Sequence, residues 1–342
     1  MDRHSKTRLS LGILTVLLGP LAAPLFPASI DATVKSGDVA LAATLITPVG
    51  AGPFPAVVLL PGSGPSTRSD VTTMAAQLTT RGWAVLVYDK RGCGASTGNW
   101  IATSLSELAD DAVAALTFLT RREEVDTRRL GFWGVSQSGW VGPIAAGRTN
   151  AAKFLVAVTG GGATPRQVET LNYEHAIERG RLDKDQAAAA RKAVDAYFAY
   201  LGTGQGLEAL EATLAEPSNQ PWASAIGLAH VLPSEALRPK WEWVASYDPL
   251  ADIQRLKIPV LVLLGGRDEN SPTDDAFAAW NRGLSGTSDP RSRILMVPGA
   301  GHGMTLGGHQ MHPTPEGTKY APGVFDEAIR WELMVHAASE TH

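Results

Sequence analysis

Ser136 has the residue type and the surroundings of a nucleophile. It lies in the segment GFWGVSQSGW, residues 131–140, two residues after Gly134 and two before Ser138. A nucleophile on a tight strand-to-helix turn needs small neighbours, because the turn is strained and a bulky side chain would clash. A strand pattern precedes this segment and a helical pattern follows it. The sequence therefore predicts that Ser136 is exposed as a nucleophile.

Asp268 and His302 could activate that serine. A serine hydroxyl is a poor nucleophile until a base removes its proton, and a third group must orient the base. Asp268 follows the apolar run PVLVLL and His302 follows RILMVP. Their order along the chain, serine then acid then histidine, is the order used by sheet enzymes of this type. Because functional groups gather at the carboxyl ends of parallel strands, we expect the three side chains to meet there.

Two backbone amides could bind the oxyanion that forms when such a serine attacks a carbonyl. One donor usually follows the nucleophile and the other comes from an early strand-to-helix loop. Gln137 follows Ser136, and the early loop is LPGSGP. We predict the amides of Ser63 and Gln137 as the donors, with the amide of Gly62 as the alternative to Ser63.

Other residues could take these roles. The alternatives are Ser138 as nucleophile, Glu269 or Asp252 as acid, and His309 or His312 as base. We expect no metal, because no carboxylate or second histidine falls at the short helical spacing that zinc sites use. We also expect no cofactor, because the GSGP and TGGGAT loops lack the sequence patterns of a P-loop and of a dinucleotide site.

Composition and charge argue against a nucleic-acid partner. The chain has 342 residues, of which 44% are hydrophobic and 19% charged, with a formal net charge of −4. These values are typical of a globular protein and give no basic face for nucleic acid. The single cysteine, Cys93, cannot form an internal disulfide. The predicted partner is a small-molecule ester or acyl substrate.

The N-terminal segment predicts export. Arg3, Lys6 and Arg8 precede the apolar run LSLGILTVLLGPLAAPLF, which has the length and the flanking charge of a signal peptide. Glycine and proline residues interrupt that run, and this disfavours a spanning helix. Residues 1–29 are therefore predicted to be a signal peptide of a periplasmic or secreted protein. An uncleaved N-terminal membrane anchor is the alternative.

Apolar strands alternate with helical segments through most of the chain. Continuous apolar strands separated by helices indicate a mostly parallel sheet with helices on both faces. Ser104 and Glu107 form a capping box before one such helix. The alternation stops at residues 164–248, which contain helical and aromatic patterns without strands. We predict a helical cap at 164–248, inserted into an α/β core of residues 30–163 and 249–342.

Five segments together resemble the α/β-hydrolase superfamily, in particular capped serine hydrolases of the serine aminopeptidase-like or dienelactone hydrolase-like branch. They are PGSGP, YDKRGCGASTG, GVSQSGW, LLGGRDENSP and GAGHGM, which span residues 56 to 304 in the order of that superfamily. The sequence differs at Pro61, where histidine is often found, and at Ser138, where the elbow usually has glycine. The resemblance implies an α/β-hydrolase fold and a Ser136–His302–Asp268 triad. Asp89 and Arg91 of YDKRGCGASTG are predicted to form a salt-bridged turn.

The function predicted from these residues is hydrolysis of carboxylic esters through an acyl-enzyme, by a serine esterase. A peptidase or an acyl-thioesterase could use the same triad with a different cap. A non-catalytic binding protein on a hydrolase scaffold is the alternative from another class. Dehalogenase and epoxide-hydrolase chemistry would need a carboxylate at position 136, and the serine there excludes both.

Overall fold

An eight-stranded sheet forms the centre of the molecule in the computed structural model, which describes residues 27–285, 289–306 and 319–339. The strands are β1 (Ala28–Ser36), β2 (Val39–Thr47), β3 (Phe54–Leu60), β4 (Ala84–Tyr88), β5 (Val125–Val135), β6 (Phe154–Val158), β7 (Val260–Gly265) and β8 (Arg293–Val297). Their order across the sheet is β1-β2-β4-β3-β5-β6-β7-β8. Strand β2 is antiparallel to β1 and β4, and the strands from β4 to β8 in that order pair in parallel.

Helices cover both faces of the sheet. They are α1 (Thr72–Thr79), α2 (Leu105–Leu119), α3 (Ser138–Gly147), α4 (Pro165–Arg179), α5 (Lys184–Thr203), α6 (Leu207–Ala215), α7 (Gln220–Ile226), α8 (Arg238–Trp241), α9 (Trp243–Ser246), α10 (Leu250–Arg255), α11 (Thr273–Leu284) and α12 (Val324–Ser339). Side chains of α2, α3, α10 and α11 pack on one face, and those of α1 and α12 pack on the other. Strands buried on both sides must be apolar throughout, as β4 and β6 are. The predicted α/β class and mostly parallel sheet are confirmed.

Helices α4 to α9 follow β6 and precede β7 in the chain, within the segment 164–248 that the sequence analysis defined as the cap. They share an apolar cluster of their own, which includes Tyr197, Phe198 and Trp222. Polar contacts join this segment to the core. Lys240 pairs with Glu107 of α2 at 2.8 Å, and Trp241 Nε1 donates to the carbonyl oxygen of Ile101 at 2.6 Å.

The first strand extends into the segment assigned to the signal peptide. Strand β1 begins at Ala28 and pairs with β2 along its whole length, whereas the sequence analysis ended the signal peptide at residue 29. Residues 1–26 lie outside the described residues, and so does most of that prediction. Within the described ranges, no helix combines the length and the apolar character needed to cross a membrane.

The predicted capping box at the start of α2 is present. Ser104 Oγ accepts from the Glu107 amide at 3.3 Å, and Glu107 Oε2 accepts from the Ser104 amide at 2.9 Å. These two bonds satisfy amides that the helix itself leaves without partners. They fix the start of the helix that packs beside α3, the helix that follows Ser136.

Candidate active site

Ser136 lies between the end of β5 and the start of α3, on the strand-to-helix turn that the sequence predicts. Its φ angle is +60°, in the left-handed region, which is uncommon for a residue with a side chain and is often found at functional sites. The Ser136 amide donates to the carbonyl oxygen of Val158 at 3.0 Å, at the end of the neighbouring strand β6. This bond holds the turn against the sheet while the backbone keeps its strained angle.

Three glycines make room for the turn. A Cβ atom on Gly134 would lie 2.5 Å from Cβ of Ser138, and one on Gly139 would lie 2.1 Å from the carbonyl carbon of Gly160. A Cβ atom on Gly160 would lie 1.9 Å from the carbonyl oxygen of Ser136. Real Cβ contacts are never this short, so the turn requires glycine at all three positions.

Ser138 joins the turn to the loop that follows β3. Its side chain is fully buried, and Oγ lies 3.0 Å from the carbonyl oxygen of Leu60 and 2.8 Å from that of Pro61. A hydroxyl held in this way cannot reach a substrate, so Ser138 does not fit the alternative role of nucleophile. The serine at this unusual position instead fastens two loops of the site together.

Asp268 and His302 are in contact. His302 Nδ1 lies 3.0 Å from both carboxylate oxygens of Asp268. Asp268 Oδ1 also accepts from the amides of Asn270 at 2.9 Å and Ser271 at 3.2 Å, and its side chain is only 1% exposed. The backbone therefore fixes the carboxylate, and the carboxylate fixes the imidazole ring.

The structure does not bring the alternative acid Asp252 into contact with His302. Asp252, on α10, accepts from the hydroxyl of Tyr247 at 2.9 Å and pairs with Arg255. His302 is held by Asp268, so neither Asp252 nor Glu269 is needed as its partner. His309 and His312, the alternative bases, lie outside the residues that the structure describes.

Ser136 and His302 line the same cavity, which has a volume of about 160 Å³. We call it the catalytic cavity; its walls include Ser63, Val71, Met74, Ser136, His302 and Tyr320. Because Nδ1 of His302 faces Asp268, Nε2 is the ring nitrogen left to act on a group in the cavity. The Gly303 amide donates to Thr159 Oγ1 at 3.0 Å, and this bond ties the His302 loop to the end of β6.

The two predicted oxyanion donors lie beside this cavity. Ser63 is in its wall, and Gln137 is the residue between Ser136 and α3. Within residues 27–285, 289–306 and 319–339, neither the Ser63 nor the Gln137 amide donates to a protein acceptor. Both amides are thus available to a ligand. Gly62, the alternative donor, also lines the cavity.

Lys90 is a site residue that the sequence analysis missed. Its side chain is buried, and Nζ donates to the carbonyl oxygens of Gly62 and Gly64, the second at 2.8 Å, and to Gln137 Oε1 at 3.1 Å. Burial lowers the pKa of Lys90 to about 8. The sequence does not single out this lysine among the charges of YDKRGCGASTG, because a lysine in a glycine-rich loop usually faces solvent.

Asp89 and Arg91 do form salt bridges, but with other elements and not with each other. Arg91 makes a two-pronged contact with Asp111 of α2, at 2.7 Å for both bonds. Asp89 Oδ1 accepts from the amide of Arg68 at 2.8 Å and from its Nε at 3.2 Å. Both residues are therefore salt-bridged, and their partners lie outside the turn. Each charge links the turn after β4 to a separate segment.

A second cavity, of about 200 Å³, is lined both by residues of the segment 164–248 and by residues of the core. We call it the cap cavity; its walls include Ser63, Lys90, Trp100, Gln137, Glu169, Tyr173, Tyr197, Trp241 and Trp243. Ser63 is common to both cavities. No residue in the described part of the chain hydrogen-bonds to or pairs with Glu169, and burial raises its pKa to about 7. Trp243 Nε1 is likewise buried without a partner among the described residues.

The described residues contain no group of three or more histidine, cysteine, aspartate or glutamate side chains arranged to hold a metal ion. The polar groups around the catalytic cavity include the Ser136 hydroxyl, the His302 imidazole with the Asp268 carboxylate behind it, and the predicted donor amides of Ser63 and Gln137. This set can activate a nucleophile, transfer a proton and bind an anionic oxygen.

The family model for X-Pro dipeptidyl-peptidase (S15 family) matches residues 36–302. The chain belongs to this family. The match runs from the end of β1 to His302 and includes Ser136 and Asp268, whereas Tyr320 in the wall of the catalytic cavity lies beyond it. The resemblance to the α/β-hydrolase superfamily is confirmed.

This S15-family chain is similar in sequence to several named proteins, among them an acyltransferase and an esterase. Acyltransferase drtE of Aspergillus calidoustus is 33% identical over 110 residues, which cover 31% of this chain and 34% of that protein. Esterase EstD of Thermotoga maritima is 27% identical over 313 residues, which cover 83% of this chain and 63% of that protein. The chain therefore spans less than two thirds of the length of these relatives.

Solved structures agree on the fold of the S15-family chain. The Pyrococcus furiosus esterase Pf2001 superposes with a TM-score of 0.55 at 15% identity, covering 81% of this chain and 83% of that chain. At this identity the likeness is evidence for the fold alone.

Proposed function

We propose that this chain is a serine hydrolase that cleaves carboxylic esters through an acyl-enzyme. Ser136 Oγ attacks the carbonyl carbon while His302 Nε2 takes the hydroxyl proton. The C–O bond to the alcohol then breaks, and His302 returns the proton to the departing oxygen. A water molecule, deprotonated by His302, releases the acid and restores Ser136. Asp268 keeps the imidazole in the tautomer that can accept the proton.

The observation that carries this proposal is the shared cavity of Ser136 and His302, with Asp268 behind the histidine. Neither residue alone is diagnostic, but a strained serine and an oriented imidazole around one space are the requirements of nucleophilic catalysis. The amides of Ser63 and Gln137 would bind the negative oxygen of the tetrahedral intermediate. The name of the relative EstD further supports an ester substrate.

Replacement of the nucleophile tests the proposal. We expect Ser136→Ala to lower kcat for p-nitrophenyl butyrate by several orders of magnitude, as the loss of a triad serine does. The folded variant should still bind the substrate, so KM should change little. Turnover by pure Ser136→Ala at the parent rate would rule the mechanism out.

A fluorophosphonate probe gives an independent readout on the parent protein. Cleavage after Arg129 and Arg148 leaves residues 130–148 in one tryptic peptide, which contains both Ser136 and Ser138. The fragment ions must therefore assign the added mass to residue 136. Active protein that carried the label on Ser138, or no label at all, would contradict the assignment.

A peptidase is the second candidate, and one side chain favours it. Glu169 projects an unpaired carboxylate into the cap cavity, among Trp100, Trp241 and Trp243. A carboxylate within an aromatic wall suits a protonated amine, through charge pairing and cation–π contact. A substrate with a free α-amino group could place it there while its carbonyl lies near Ser63. Membership in a family of peptidases supports this candidate.

A panel of substrates separates the candidates. p-Nitrophenyl butyrate, its acyl-thioester counterpart, and aminoacyl and dipeptidyl p-nitroanilides should be compared by kcat/KM on the parent and on Glu169→Gln. If the cap cavity binds an amine, Glu169→Gln should weaken catalysis of the amine-bearing substrates only, by about 10-fold or more, since a buried charge pair would be lost. An equal effect on all substrates would assign Glu169 a structural role.

A further inference from the structure

Lys90 is a buried cation whose hydrogen-bond acceptors, within the described part of the chain, are all neutral. Lys90 is only 3% exposed. Its Nζ atom donates to the carbonyl oxygens of Gly62 and Gly64 and to the side-chain oxygen of Gln137. Among the residues that the structure describes, no carboxylate forms an ion pair with it. Burying an ammonium without a counter-ion is costly. An apolar side chain would avoid that cost, so the contacts of Lys90 need an explanation beyond stability.

The three acceptors belong to the two segments that carry the predicted oxyanion donors. The carbonyl of Gly62 is part of the same peptide unit as the N–H of Ser63. In a trans peptide the C=O and N–H groups point in opposite directions. Holding the Gly62 oxygen toward Lys90 therefore aims the Ser63 N–H away from Lys90. The bond to the Gly64 oxygen fixes the peptide between Gly64 and Pro65, so the loop is held on both sides of Ser63. The glycines of this loop would otherwise allow many orientations.

The same ammonium holds the side chain of the other donor residue, Gln137. Hydrogen bonds in series also polarise one another, so a bond to the Gly62 oxygen makes the Ser63 N–H a stronger donor. Lys90 reaches this position because it follows β4, which pairs with β3, and the Gly62–Gly64 loop follows β3.

We propose that Lys90 is a positioning residue of the oxyanion hole, which orients the Ser63 amide through the Gly62 and Gly64 carbonyls and ties that loop to Gln137. This inference rests on the proposed function, because it assumes that the Ser63 and Gln137 amides bind a reacting oxygen. Lys90 itself does not touch the substrate carbonyl; it acts through the peptide units that do.

The protonation state of Lys90 gives the inference a pH signature. The ammonium has three N–H groups for its three acceptors, whereas the neutral amine has two. With its pKa lowered by burial to about 8, Lys90 keeps all three bonds below that pH and loses one above it. The titratable groups that face it are Glu169 and Tyr173 of α4, Tyr197 of α5, and Cys93 in its own turn. We expect kcat to fall as the pH rises through about 8.

The experiment begins with Lys90→Met, which keeps the length of the side chain and removes its charge and donors. We expect kcat for p-nitrophenyl butyrate to fall by about 10- to 100-fold with KM nearly unchanged, somewhat less than the loss of an oxyanion donor outright. Lys153→Met is the matched control, because Lys153 is exposed and lies next to the amino end of β6. That control should retain the kinetics of the parent.

Rescue distinguishes orientation by the ammonium from a general effect on folding. In a Cys93→Ala background, Lys90→Cys can be alkylated with 2-bromoethylamine in the unfolded state and refolded, which restores a lysine-like side chain with a thioether. Its amine has a lower intrinsic pKa than lysine. We expect kcat to recover, and its alkaline decline to move to lower pH than in Cys93→Ala with Lys90 intact. If Lys90→Met does not fold, the alkylated Lys90→Cys protein provides the test.

The outcomes separate this inference from the proposed function. Folded Lys90→Met with the kcat and the pH profile of the parent would overturn the role of Lys90, and so would a rescued protein whose alkaline decline does not move. Ser136→Ala is measured in parallel. If Ser136→Ala is inactive while Lys90→Met equals the parent, only the positioning role fails; if Ser136→Ala is fully active, the proposed function fails.

Discussion

Asp268→Asn is the substitution whose effect the geometry specifies most fully. Asp268 Oδ1 already accepts from the amides of Asn270 and Ser271. After substitution those two donors must keep the remaining oxygen, so the new NH₂ group takes the place of Oδ2. The NH₂ group then faces His302 Nδ1, which lies 3.0 Å from Oδ2 in the parent. Oδ1 also lies 3.0 Å from Nδ1, but it already accepts from two amides. We therefore expect Nδ1 to accept from the new NH₂ group and the imidazole proton to move to Nε2.

An imidazole protonated on Nε2 cannot take a proton from Ser136. The expected loss is about 10⁴-fold in kcat, the size seen when the acid of another serine triad is replaced in this way. At 1.36 kcal/mol for each factor of ten, this corresponds to about 5.4 kcal/mol of transition-state stabilisation. KM should change little, since Asp268 is buried behind His302. The free energy of unfolding should change by only about 1 kcal/mol, because both backbone amides keep their acceptor.

The assay is steady-state hydrolysis of p-nitrophenyl butyrate between pH 6 and 9, with near-UV circular dichroism to verify the fold. Asp252→Asn is the matched control. Asp252 is a carboxylate that the sequence left open as the acid, but it pairs with Arg255 and Tyr247. Asp268 does not set the tautomer of His302 if Asp268→Asn keeps more than about a tenth of the parent kcat, or if Asp252→Asn loses as much kcat as Asp268→Asn.

Two other perturbations test the turn and the cap cavity. Gly160→Ala would put Cβ 1.9 Å from the carbonyl oxygen of Ser136, so we expect kcat/KM to fall about 100-fold, the effect of a 1 Å displacement of a reacting group. Gly147→Ala, with open space around its Cβ, is the control, and equal losses in both would contradict the steric argument. Because the pKa of Glu169 is raised to about 7, its carboxylate is neutral below that pH and charged above it. The KM of amine-bearing substrates should therefore decrease as the pH rises through about 7, and Glu169→Gln should abolish the decrease; the same slope in both proteins would exclude Glu169 as the amine site.

The sequence predicts the sheet well because its inner strands are buried on both faces. Such strands read as continuous apolar runs, as β3, β4, β6 and β7 do. Strand β1 was missed for the opposite reason. It lies at the edge of the sheet, and its residues alternate between more and less exposed positions. Its clearest signal was the Gly37–Asp38 turn into β2, a pair typical of hairpins.

The sequence also reveals only those site residues that a local pattern marks. Ser136, Asp268 and His302 could be picked out because each follows a recognisable strand. Lys90 and Glu169 could not, because their roles depend on tertiary neighbours. Lys90 meets acceptors from two other loops, and Glu169 occupies a helix, α4, whose sequence is largely polar and has few buried residues. No local pattern distinguishes such a glutamate from one that faces solvent.

Strand order explains why the loop after β6 is TGGG, a segment with no reacting side chain. Ser136 follows β5 and Asp268 follows β7, so β6 separates them, and strands spaced about 4.8 Å apart leave them nearly 10 Å apart. His302 follows β8, yet it must span that gap to serve both. The loop that carries His302 can cross the end of β6 only if the residues there have small side chains. Thr159 anchors the returning loop through Gly303, and Gly160 lets the Ser136 turn approach to a distance that no side chain permits. The small residues after β6 are therefore as necessary to the arrangement as the three groups they allow to meet.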